Sequence, residues 1–114
     1  MTNHEKIIEL NKIWYSLIGL DHHKDRDCHF RISTHYHYGD LVEYEVEHYG
    51  YIMDEVHEEF STQKEAEEYL INVLKKGILE EIDWHLNPPD DFSSSYNKDQ
   101  IEDYKKRTLE LVSD

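Results

Sequence analysis

The chain has 114 residues, 38% of them hydrophobic and 33% charged, with a formal net charge of −14 when histidine is neutral. That length is room for one domain, with an expected radius of gyration of ~13 Å, and the polarity is wrong for a membrane protein. With 26 acidic residues against 12 Lys and Arg, direct nucleic-acid binding is not expected, because such binders neutralise phosphates with cations.

The first predicted element is a helix. Ile7, Leu10, Trp14, Leu17 and Ile18 recur at three- and four-residue spacing, with Glu5, Lys6, Glu9 and Lys12 on other faces. Thr2 or Asn3 supplies its cap and Gly19 its stop. The amino terminus lacks the pattern of a secretory signal, and Trp14 to Leu20 is far short of a membrane span. Cys28 is the only cysteine, which forbids an intrachain disulfide and fits a reducing compartment. The expected location is cytoplasmic.

From Cys28 the period changes to two. Cys28, Phe30, Ile32, Thr34, Tyr36 and Tyr38 fall on one face, and His29, Arg31, Ser33, His35 and His37 on the other. Val42, Tyr44 and Val46 then alternate with Glu43, Glu45 and Glu47, and a third strand runs from Tyr51 to Phe60. Turns at Gly39-Asp40 and Tyr49-Gly50 join them into an antiparallel meander with one wet face. Asp54, in an inward phase, is turned outward by a bulge near Met53. A three-residue loop, Tyr38-Gly39-Asp40, sets Tyr36 opposite Val42, Thr34 opposite Tyr44, Arg31 opposite Glu47 and His35 opposite Glu43. It keeps like faces together, which a two-residue loop does not. Trp14, Phe30, Tyr36 and Tyr44 are expected in the core.

Thr62 with Glu65 forms a capping box that opens a second helix. Ala66, Tyr69, Leu70, Val73, Leu74, Gly77, Ile78, Leu79 and Ile82 make its apolar face, and Asn87-Pro88-Pro89 ends it. A third helix is expected over Asp99–Val112. The fold class is α+β in a single domain spanning 1–114: an N-terminal helix, a three-stranded antiparallel meander, then two helices packed on the sheet.

The acidity is local. Residues 40–68 hold eleven acids and one base, carrying −10 of the total −14, whereas residues 1–39 are neutral and residues 69–114 carry −4. Helix-dipole complementarity accounts for Glu65, Glu67 and Glu68. It does not account for Glu43, Glu45 and Glu47 beside Glu55 and Glu59, where like charges on neighbouring strands cost roughly 0.2–1 kcal/mol per pair. A surface that accepts such repulsion is suited to a positive partner. Tyr38, Tyr49 and Tyr51, at the two turns of the meander, are the expected aromatic anchors.

Catalytic and metal signatures are missing. The nine histidines include the pair His35 and His37 on one strand face, but there is no H-E-x-x-H, no cysteine pair and no Gly-rich phosphate loop. The chain is read as a non-enzyme with no metal and no cofactor.

The run YGDLVEYEVEHYGYIMDEVHEEFSTQKEAEEYLINVL, Tyr38 to Leu74, resembles the hairpins and following F-S-T-x-x-E-A-x-x-Y-L helix of acidic immunity proteins encoded beside bacterial polymorphic or secreted toxins. The resemblance covers about a third of the chain and transfers no active-site residue. It implies a protein that binds a cognate toxin, in such families repeatedly a basic nuclease, and blocks its active site. The partner-binding residues expected on both grounds are Glu43, Glu45, Glu47, Glu55, Glu59, Tyr38, Tyr49 and Tyr51, facing a basic protein and neither nucleic acid nor membrane. The competing readings are a phage-type DNA-mimic inhibitor and a His-rich metal-binding protein.

Overall fold

The computed structural model describes residues 1–18, 29–49, 57–87 and 97–113. Its order is α1 (Asn3–Ile18), β1 (His29–Tyr36), β2 (Val42–Tyr49), β3 (His57–Phe60), α2 (Gln63–Leu86) and α3 (Lys98–Val112), the α+β architecture expected.

Both early helices start as their sequences direct. The Thr2 hydroxyl oxygen accepts from the Glu5 amide at 3.1 Å while its proton goes to the Glu5 carboxylate. Thr62 and Glu65 repeat the exchange at 3.2 and 3.1 Å. At α3, one residue longer at its start than the periodicity indicates, the Asn97 side chain accepts from the Gln100 amide at 2.7 Å. Each cap satisfies an amide that the first helical turn would otherwise leave open.

The sheet is an antiparallel meander in the order β1-β2-β3. Its first register is the expected one: Tyr36 faces Val42, Thr34 faces Tyr44, His35 faces Glu43 and Arg31 faces Glu47. The His37 amide donates to the Leu41 carbonyl at 2.9 Å, closing the three-residue loop, and Gly39 takes φ +84°, a left-handed value that glycine adopts without strain. In the second register Tyr44 faces Phe60, Glu45 faces Glu59 and Glu47 faces His57. Of the expected third strand, Tyr51–Phe60, the described residues His57–Phe60 form β3, and residues 51–56 lie outside the described residues. Gly19, Cys28, Gly50, the bulge near Met53 and Pro88-Pro89 lie outside the described residues.

The core is mainly helical. Leu10, Ile13, Trp14 and Leu17 of α1 meet Ala66, Leu70, Leu74, Ile78 and Ile82 of α2 and Ile101 and Leu111 of α3, while the sheet adds one fully buried residue, Val46. His85 Nε2 lies 3.0 Å from the Leu17 carbonyl, and His4 and Ile7 share a groove with Gln63, Glu67 and Leu70. Starts and ends are thus matched, so α1 and α2 run in the same direction. Across the sheet's inner face, α2 packs on β2 and β3, and α3 lies against α1 and α2.

One core assignment is corrected. Trp14 is buried, and Phe30 and Tyr44 are half-buried against the core, but Tyr36 is 82% exposed. Phase along a strand says which face a residue takes, not whether a helix covers it there. β3 ends at Phe60, opposite Tyr44, and Thr34 lines the groove at the N-terminal ends of α1 and α2. The hairpin beyond Thr34 and Tyr44 overhangs that support. The overhang and the 24-residue α2 lengthen the molecule to 56 × 30 × 22 Å, with a radius of gyration of 15.7 Å.

Candidate functional site: the glutamate column of β2

Alternation along β2 puts Glu43, Glu45 and Glu47 on the outer face of the sheet, opposite Tyr44 and Val46, which pack on the helices. β1 contributes Arg31, Ser33, His35 and His37 to that outer face, and β3 contributes Glu59. An acidic central strand is therefore flanked by a basic strand on one side and another acid on the other.

The basic strand leans over the column. Arg31 pairs with Glu47 at 2.5 Å, His35 Nε2 lies 3.1 Å from Glu45, and His37 Nε2 lies 3.3 Å from Glu43. The arginine pair follows the ladder directly. The two imidazoles instead reach the diagonal carboxylate, within range for long side chains on a pleated face. The carboxylates lie deeper than their partners: the side chains of Glu45 and Glu47 are 10% and 15% exposed, and those of His35 and Arg31 are 44% and 51% exposed. Glu45, at the middle of the column, counts as buried even though it sits on the outer face.

This burial has a cause in the fold. β2 is the only strand with neighbours on both sides, so a side chain at its centre is crowded from both. Burying a carboxylate is costly unless it is paired, and His35 provides the pair. Directly across the β2–β3 ladder from Glu45 stands Glu59, an exposed residue of like charge. Among the described side chains of this face, four carboxylates meet one guanidinium. The face carries −3 with His35 and His37 neutral and −1 with both protonated.

The expected site residues separate into two regions. Glu43, Glu45, Glu47 and Glu59 come together on the outer face, and Tyr38 stands fully exposed at the tip of the β1–β2 hairpin. Tyr49 ends β2, but its side chain, like Glu55 and Tyr51, lies outside the described residues. Two residues absent from the expected set, Tyr36 and Leu41, are 82% and 54% exposed beside Tyr38. The signal that marks them is the end of β3 at Phe60, opposite Tyr44, which leaves the hairpin end beyond it without a third strand.

The inner side of the sheet holds a second feature. A cavity of about 310 Å³ opens between the starts of α1 and α2 and β1, with Ile7, Phe30, Ile32 and Leu70 as its apolar wall and His4 and Glu67 among its polar lining. Glu58, in the inward phase of β3, is exposed; burial first, and then the Glu58 charge, push the Tyr69 hydroxyl above its ordinary range. Phe60 stacks on Tyr69 with ring centroids 5.0 Å apart. Among the described residues no three His, Cys, Asp or Glu side chains converge as metal ligands, and no helix is long and apolar enough to cross a membrane.

No protein family, curated protein or solved structure matches this chain.

Proposed function

We propose that the protein is a non-catalytic, protein-binding inhibitor, an immunity protein that neutralises a cognate toxin through the outer face of its sheet. The observation that carries this reading is the column Glu43-Glu45-Glu47 on the central strand, with Glu59 aligned beside it. A fold gains nothing from setting Glu45 opposite Glu59, since like charges across a ladder repel. A field directed outward from one compact face, however, accelerates encounter with a basic partner and orients it.

The histidine and arginine row refines that picture. Arg31, His35 and His37 hold the carboxylates in fixed positions, so the face presents an ordered set of acceptors. Order of this kind lowers the entropy lost on binding. A compact column with a neighbouring aromatic tip suits a toxin inhibitor better than a DNA mimic, which needs acids at phosphate spacing over a long face.

The test is co-expression with the product of the adjacent gene, followed by stopped-flow association of the purified pair. The reading predicts a complex whose association rate falls steeply as salt is raised. Absence of a complex, or an association rate indifferent to salt, contradicts it.

A further inference from the structure

Among the described residues, exposed large apolar side chains are concentrated at one place. Tyr36, Tyr38 and Leu41 are 82%, 105% and 54% exposed, all within six residues of the β1–β2 hairpin, while the others are Met1 at the chain start and Ile8, Trp84 and Leu109, one on each helix. Soluble monomers tolerate isolated exposed hydrophobes; a cluster marks a contact surface.

The geometry narrows what the contact is. Tyr36 and its ladder partner Val42 lie on the helix-side face, beyond the helices. Leu41, opposite His37, lies on the glutamate side, and Tyr38 caps the end. Apolar groups therefore cover both faces and the tip. Such a projection fits a cleft that surrounds it, because a flat surface reaches only one face. The hairpin is already shaped for insertion: the His37–Leu41 hydrogen bond closes the loop at 2.9 Å, and Gly39 holds φ +84°. Tyrosine carries much contact area at small conformational cost, which is why it recurs as an interface anchor.

Charge identifies the walls. Asp40 and Glu43 flank the apolar tip, and the acidic column continues from it along β2. A second copy of the chain, at −14, brings repulsion to such a contact, and an anionic membrane does the same. Resting on the toxin reading above, we infer that the hairpin tip inserts into an apolar cleft with a cationic rim on the partner protein. The glutamate column governs how fast the complex forms, and the tip governs how slowly it dissociates.

The experiment measures both rates with the purified product of the adjacent gene. The triple variant Tyr36→Ser/Tyr38→Ser/Leu41→Ser should dissociate faster by roughly 30-fold or more, the range for loss of interface anchors, with association changed by no more than about twofold. The control Ile8→Ser/Leu109→Ser, exposed on α1 and α3, should leave both rates unchanged. Tyr38→Ser alone, at a loop position with no packing to lose, reports the same effect in smaller measure should the triple variant misfold. An unchanged dissociation rate, or equal increases in tip and control variants, overturns the tip while leaving the charged face standing. Tip-dependent self-association, or tip-dependent binding to vesicles of neutral lipid, overturns the cleft as its occupant. A product that does not bind the wild-type protein overturns the toxin reading and the tip with it.

Discussion

His35 stands directly across the ladder from Glu43, yet its imidazole pairs with Glu45, one pleat further along, at 3.1 Å. His37 takes Glu43 in the same diagonal way. The two histidines thus sit over two of the carboxylates that give the outer face its sign.

Two carboxylates elsewhere should shape stability in opposite directions. Hydrogen bonds from Arg107 at 2.6 Å and Lys12 at 3.3 Å hold the Glu9 carboxyl below the usual carboxylate range, fastening α3 to α1. A depressed folded pKa gives stability that is present above the unfolded value and lost as pH falls through the folded one. Arg107→Met should therefore destabilise slightly at pH 7, and by less as the pH is lowered and the Glu9 carboxylate is protonated. Glu81 is the reverse case, because burial pushes its carboxyl up. Its contribution favours folding at low pH and is lost as pH rises through the folded pKa, so Glu81→Gln should stabilise at pH 7 and be neutral at pH 3. Urea melts at both pH values read the two signs.

Burial predicts a sharp contrast between two side chains. Leu74 is fully buried between the helices, so Leu74→Ala should cost roughly 2–5 kcal/mol. Tyr36 shares the phase of core residues but lies on the overhang, so Tyr36→Thr should stay within about 0.5 kcal/mol, the range of surface substitutions. A large loss from Tyr36→Thr in denaturant melts would place it under cover.

Local signals made most of the fold legible in the sequence. Thr62 and Glu65, Thr2 and Glu5, and the Tyr38-Gly39-Asp40 loop each act over three or four residues, and face matching then left one admissible β1–β2 register. What escaped depends on contacts distant in the chain. Tyr36 reads as core because periodicity does not say where along β2 the cover of β3 and the helices stops. At the candidate site, the acids and Tyr38 were visible as a charge block and a turn. The burial of Glu45 was not, since it follows from how closely the side chains on β1 and β3, His35 among them, crowd it.

The central claim is that the β2 carboxylates are the surface that meets a basic partner, and one paired measurement tests it. Glu43→Gln/Glu45→Gln/Glu47→Gln keeps side-chain shape and one acceptor oxygen at each position while removing three charges from the column. Glu102→Gln/Asp103→Asn/Glu110→Gln removes three from exposed positions of α3. Association rates with the adjacent gene's product, taken across a salt series, should fall about tenfold or more for the strand variant and lose much of their salt dependence. The α3 variant should change little. Equal losses from both variants would mean that only net charge matters, and an unchanged rate for the strand variant would remove the glutamate column from the interface.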